Sequence, residues 1–282
     1  MRNKCKGSFK LLHAGSGIGV TVFAAVVAAV FFFPAGIALL NSFKDKGEIL
    51  RSAPSLPSGF YLENYRTVLT ESNFPRAFLN SCLVTGGGIV LNLIVSAMAG
   101  YALARWRSRW SGFLTVFLLS SMFVPFHTIM IALLKTAKAF HLTGKLWGLI
   151  LIYCGLQCPI PIFLVKGFVS TVPRELEEAA MIDGCGTAKL FLTIVLPMLR
   201  PILATIAVLN ALWIWNDFLL PYLVLAKPLT IPLSQMYFYG QYNQQWHLIM
   251  AGFVVSTIPV VIFFLCMQKH IIRGIAAGAV KG

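Results

Sequence analysis

Four of the nine carboxylates of this 282-residue chain fall within nine consecutive residues: Glu175, Glu177, Glu178 and Asp183. The chain as a whole is 58% apolar and only 11% charged, whereas soluble domains carry about 25% charged residues. A polar, acidic stretch set between long apolar segments is one presented to something soluble. Pro173 fits a first helical turn, where its missing N–H costs nothing. Glu175, Glu177 and Glu178 then sit near the positive end of the helix dipole. Leu176, Ala179, Ala180 and Asp183 recur at i, i+3, i+4 and i+7. They give one face that is small in its middle, where a partner can approach closely. Gly184 is the expected stop, since glycine takes the left-handed cap conformation without penalty. A second amphipathic stretch follows, with Phe191, Ile194 and Val195 on one face, and Pro197 and Pro201 mark entry into the next apolar run. Composition alone favours an ordinary interfacial amphipathic linker for this segment.

Other residue types that could do chemistry are scattered. Of six cysteines, Cys82, Cys154, Cys158 and Cys266 fall in apolar segments. Cys154 and Cys158 can share a helix face, and we read them as small packing residues rather than a metal pair. No other Cys or His spacing resembles a ligand set, and His127, His141 and His247 fall in or beside loops. No G-x-x-x-x-G-K-[ST] string occurs, so the chain cannot cradle ATP phosphates in a P-loop. No nucleophile constellation stands out. We therefore expect no catalytic, cofactor-binding or metal-binding residues, and any energy must come from another polypeptide. Asp217 is the one acidic residue inside an apolar run. Intramembrane charges mark pathways or pair with protein, so Asp217, with Trp213, Trp215 and Asn216, forms a candidate pathway group. The alternative is a charge near a helix end that reaches the outer interface, with tryptophans at the membrane boundary.

The elements that position these residues are membrane spans. A helix needs about 20 apolar residues to cross a bilayer. Six runs meet this, at about 17–40, 77–104, 110–134, 146–165, 201–226 and 248–267, in a single transmembrane domain covering 1–282. The first run has a basic lead, but its apolar body is too long for a signal peptide. With the N-terminus inside, fourteen Lys and Arg fall on the inner side and nine on the outer. This predicts both termini in the cytoplasm, with Lys135, Lys138 and Lys145 as the weak point. Cys5 and Cys185 then lie on the reducing side. The net charge of +14 resides in the gaps between spans, where it serves anchoring and orientation rather than nucleic-acid binding. The 41–76 segment reads as an ordered external loop leading into an interfacial stretch, Leu62–Leu69.

The string Glu178-Ala179-Ala180, then Asp183-Gly184, then Phe191, Pro197 and Pro201, resembles the EAA loop of ABC-importer permeases. Asn80-Ser81, Tyr101-Ala102-Leu103-Ala104-Arg105, Trp215-Asn216-Asp217-Phe218 and the tail from Gln268-Lys269-His270 to Gly278-Ala279-Val280-Lys281-Gly282 extend the likeness over nearly the whole chain. The tail points to the second permease subunits of maltose-type carbohydrate importers. The resemblance implies an all-α membrane protein of six helices, a type I importer permease, with a cytoplasmic coupling helix in the loop 171–200. Glu178, Ala179, Ala180, Asp183 and Gly184 would be its contact and hinge positions. Cys185 stands where the family commonly has a small residue such as alanine, a mild departure. The implied partners are a second permease in a heterodimer, two ATP-binding subunits, an extracellular sugar-binding protein, a sugar substrate and the lipid of a bacterial plasma membrane. A permease for another solute class is the nearest rival. An ion-coupled secondary transporter would need ionisable groups near the midplane and usually an internal repeat. One aspartate and no visible repeat argue against it.

Overall fold

The structure, a computed structural model, describes residues 5–106, 108–227, 230–239 and 244–279. Among these, every regular element is helical: α1 (Cys5–Ser42), α2 (Lys46–Arg51), α3 (Glu63–Glu71), α4 (Phe74–Arg105), α5 (Arg109–Ser120), α6 (Phe126–Ala139), α7 (Leu146–Gln157), α8 (Pro159–Val169), α9 (Glu175–Ile182), α10 (Thr187–Leu190), α11 (Leu196–Met198), α12 (Arg200–Asn216), α13 (Leu219–Val224), α14 (Ile231–Ser234) and α15 (Trp246–Ala279). Short 3-10 turns follow α5 and α14, and a π-helical turn, Phe191–Val195, joins α10 to α11. Among the described residues, three helices are long and apolar enough to cross a membrane: Gly19–Ser42 within α1, Phe74–Arg105 and Trp246–Cys266. Three bent pairs pass the same test together, which gives up to six spans if each pair is one. The tail glycines Gly274 and Gly278 lie on α15. Val280, Lys281 and Gly282 lie outside the described residues.

The bends have chemical causes. Arg109–Phe123 and Phe126–Ala139 meet at 105° around Pro125, and Leu146–Gln157 meets Pro159–Val169 at 53°. Thr187–Met198 meets Arg200–Asn216 at 72°, between Pro197 and Pro201. Each proline removes a helical N–H and crowds the preceding turn. The run expected at 201–226 is likewise interrupted. α12 ends at Asn216, and Asp217 is extended, with ψ of 124°.

The chain forms two compact units. The first comprises residues 1–72 and 238–255. Its loop after α1 is ordered by polar contacts rather than by apolar mass. Lys44 is fully buried, and its ammonium donates to the carbonyls of Ser52 (3.1 Å) and Ala53 (2.9 Å) and to Ser55 Oγ (3.3 Å). A buried cation is stable only when its protons are taken up in this way. Asp45 caps α2 by accepting from Glu48 N–H at 3.0 Å. Asn64 on α3 donates to the carbonyls of Ser42 and Lys44, both at 2.9 Å.

The second unit comprises residues 73–237 and 256–282. α4 is its axis, packed against α7, α8 and α12. At Gly100 an added Cβ would lie 2.7 Å from Val165 and 2.9 Å from the Ile162 carbonyl, so α4 and α8 touch backbone to side chain there. Small residues permit this close approach where lipid gives no hydrophobic drive between helices. One buried cluster joins Val84, Leu149, Tyr153, Ile214 and Leu220. A second joins Ala97, Val165, Val169, Ala180, Leu190, Val195 and Ile206, and this one grips the acidic segment.

Candidate functional site

The acidic segment folds as the eight-residue helix α9, with Glu175, Glu177 and Glu178 in its first turn. Pro173 lies just before the helix rather than within its first turn, and Arg174 is the cap. An eight-residue helix has too few internal hydrogen bonds to offset its nucleation cost, so its neighbours must hold it. Glu177 does most of this. Its Oε1 accepts from Arg105 Nε at 2.8 Å and from Arg105 Nη2, and its Oε2 accepts from Tyr101 Oη at 2.9 Å. Arg105 Nη2 also donates to the Val172 carbonyl at 3.1 Å. The two charged side chains are only 16% and 9% exposed. Tyr101 and Arg105 are i, i+4 on the last turns of α4, and Arg105 also suits the negative end of that helix. The Tyr101 ring packs 5.4 Å from Phe191 on the following π turn. Two guanidinium N–H groups converge on one oxygen of this largely buried carboxylate while a hydroxyl takes the other, and this charge-assisted set fixes α9 to α4 in one register.

The far end of α9 is closed by a Schellman cap. Gly184 has φ of +81°. Its N–H donates to the Met181 carbonyl, and Cys185 N–H donates to Ala180, both at 3.0 Å. The motif sets a side chain just past the cap against one in the last turn. Here Cys185 packs on the buried cluster that contains Ala180. This gives the cysteine a packing role that alanine's smaller side chain fills less fully.

The helix is thereby two-sided. Glu177 and Ala180 face inward. Glu178, Ala179 and Asp183 are exposed, as are Leu176, Met181 and Ile182, the last at 86%. The face expected from Leu176, Ala179, Ala180 and Asp183 is therefore divided, because Ala180 belongs to the core. The sequence reading missed Glu177, Tyr101 and Arg105 as a unit. The i, i+4 spacing at the end of α4 was visible, but nothing in the string distinguishes Glu177 from its neighbours. It also passed over Met181 and Ile182, two large apolar residues left in water beside carboxylates.

The candidate pathway residues do not form one cluster. Asp217 Oδ2 accepts from Tyr153 Oη at 2.9 Å, and Oδ1 accepts from Leu219 N–H (3.0 Å) and Leu220 N–H (3.4 Å). Both oxygens are engaged, one across the bundle and one capping α13. Trp213 meets the Tyr153 ring edge-on at 5.9 Å, which links it to Asp217. Trp215 instead meets Phe78 at 5.9 Å, and Asn216 is exposed and donates to the Leu212 carbonyl. Trp213 and Trp215 line different cavities. Among the described residues no group of three His, Cys, Asp or Glu is placed to hold a metal. Cys154 and Cys158 are free thiols, and Cys154 is buried.

Residues 92–277, which include α9 and both sides of its clamp except the start of α4, match the family described as binding-protein-dependent transport system inner membrane component. The chain belongs to this family. The permease is 38% identical over 264 residues to the probable starch degradation products transport system permease protein AmyC of Thermoanaerobacterium thermosulfurigenes, covering 93% of this chain and 96% of that one. It is 34% identical over 266 residues to the melibiose/raffinose/stachyose import permease MelC of Bacillus subtilis, covering 93% and 96%. It is 35% identical over 266 residues to the multiple sugar-binding transport system permease MsmG of Streptococcus mutans, covering 92% and 95%. Among solved structures it resembles a chain of a bacterial ABC transporter that imports the acidic polysaccharide alginate. The TM-score is 0.78 at 22% identity, over 91% of this chain and 96% of that one, and this likeness concerns the fold.

Proposed function

We propose that this permease is one membrane subunit of an ATP-driven importer that carries a sugar delivered by an extracellular binding protein. Three named relatives concern starch products, melibiose-type oligosaccharides and multiple sugars. The observation that carries the mechanism is the two-sidedness of α9. Its inner face is clamped by Arg105 and Tyr101, and its outer face offers Glu178, Ala179, Asp183, Met181 and Ile182. Apolar side chains left exposed inside a ring of polar ones mark a docking surface. A partner that seizes this face moves α4 with it, as a rigid lever between two states of the bundle.

In this reading the six spans sit in a bacterial plasma membrane with both termini cytoplasmic. α9 is the coupling helix, Gly184 its hinge, and two ATP-binding subunits dock on it and on its counterpart in a second, different permease. Trp213, Trp215, Asn216 and Asp217 lie along or beside the route, with Asp217 fixing Tyr153 and Trp213. The test is purification from the native membrane in mild detergent. An ATPase, a second permease and a sugar-binding protein should accompany the chain, and ATP hydrolysis in the reconstituted complex should rise with sugar-loaded binding protein. A chain that stays alone after cross-linking in intact membranes, where detergent cannot strip partners, would refute the reading.

A further inference from the structure

Two of the three bent pairs break at the same place. The Pro125 break after α5 and the Cys158 break between α7 and α8 both border a cavity of about 570 Å3, and α12 closes it with Asn210 and Trp213. Non-helical backbone at membrane depth persists only where it is buried in protein or lines a wet cavity. Pro159 and Pro161 have no N–H, so the carbonyls of Gly155 and Gln157 lose their helical donors here.

The wall is mostly apolar, with Gln157, Asn210 and Ser121 as its polar side chains and no charged one. Two of these are unsatisfied. Both amide atoms of Gln157, Oε1 and Nε2, and the Nδ2 of Asn210 are buried without a hydrogen-bond partner among the described residues. Asn210 is only 7% exposed. A buried amide left unbonded carries a desolvation cost that a polar ligand or water reaching it relieves. Trp213, 52% exposed, offers an aromatic surface on the same wall.

The chemistry of this wall selects its ligand. Amides donate and accept but carry no charge, so an ion, an amino acid zwitterion or a phosphate finds no counter-charge. A neutral polyol finds an apolar face for its C–H groups, and the Gln157 and Asn210 amides, closed off in this conformation, would meet its hydroxyls by turning toward the cavity. The volume lies within the roughly 300–1,000 Å3 typical of small-molecule sites. We propose that Gln157, Asn210 and Trp213 form a contact site for a neutral carbohydrate in transit through this subunit. The proposal rests on the sugar-importer reading and places part of the route at the meeting point of the broken spans.

The test uses the complete importer in proteoliposomes and a panel of labelled neutral mono- and oligosaccharides, with sugar uptake and ATP hydrolysis measured together. The variants are Gln157→Ala, Asn210→Ala and Trp213→Leu, with Asn210→Ser as a partial replacement. Sugar carried per ATP should fall about fivefold to tenfold in each of the first three, the effect of one lost hydrogen bond or ring contact. The serine variant should recover part of it. Trp213 is half exposed, so its variant keeps the test open if the buried variants fail to assemble. An uptake ratio equal to wild type in all variants would overturn the site. Loss of the partner permease from the purified Trp213→Leu complex would also overturn it, by assigning this wall to a subunit interface. A wild-type importer that moves none of the sugars would instead strike the importer reading itself, and the site with it.

Discussion

Removing the Glu177 carboxylate tests the clamp most directly. Glu177→Ala takes away the acceptor for Arg105 Nε, Arg105 Nη2 and Tyr101 Oη together. Breaking a buried ion pair by deleting one partner costs about 3–5 kcal/mol, because the other charge is stranded. Arg105 keeps its bond to the Val172 carbonyl and is 16% exposed, so the low end, about 3 kcal/mol, applies. That shifts the balance between docked and detached α9 about 100-fold. Arg174 and Lys189 flank the helix as trypsin sites, and cleavage of a transiently opened segment tracks its open population. Trypsin in the native complex should therefore cut this segment about 100-fold faster in the variant, and hydrolysis should lose its dependence on loaded binding protein. Arg105→Met with Glu177→Met removes both charges and should recover most of the protection, since an apolar pair of similar volume is often neutral. Wild-type cleavage and coupling in Glu177→Ala would refute the clamp. So would a double variant no better than the single one.

Gly184→Val places a β-branched residue at φ of +81° and should cost about 1–2 kcal/mol locally. Membrane insertion, followed by blotting, should be unchanged while hydrolysis uncouples from substrate, and full transport would count against the hinge role. Ile182→Glu alters a side chain 86% exposed, so stability should change by no more than about 0.5 kcal/mol. Co-purification of the ATPase should drop about tenfold if the residue anchors docking, and undiminished co-purification would remove it from the surface. Lys44→Ala strands the carbonyls of Ser52 and Ala53 and should cost the loop about 2 kcal/mol. Hydrogen exchange over residues 45–60 should accelerate, and unchanged protection would show that the ammonium does not hold the loop.

Much of this architecture was legible from residue order because lipid imposes a simple length rule. The runs opening near Ala77 and Leu248 became long helices, α4 and α15. The acidic stretch became a short helix ended at Gly184, since acidic first turns and glycine stops act locally. What escaped the string depends on contacts across sequence. Arg105 and Glu177 lie 72 residues apart, and no local rule says which of three glutamates turns inward. The run at 201–226 looked continuous because hydropathy does not register that Asp217 caps the helix after it. The bends at Pro125 and Pro159 fall on prolines inside runs that the length rule takes as unbroken, and their convergence on one cavity is a property of packing alone. Likewise Trp213 and Trp215, two residues apart, diverge because successive helical positions point about 100° apart.

The shortness of α9 has a consequence for inheritance. Eight residues cannot keep themselves helical, so the shape that a cytoplasmic partner would grasp is lent by the end of a membrane helix. A lesion at Arg105, which never needs to meet that partner, would present in a genetic screen as a docking defect. Compensating changes would then be found inside the membrane subunit, in the contacts of α4, as readily as on the ATPase.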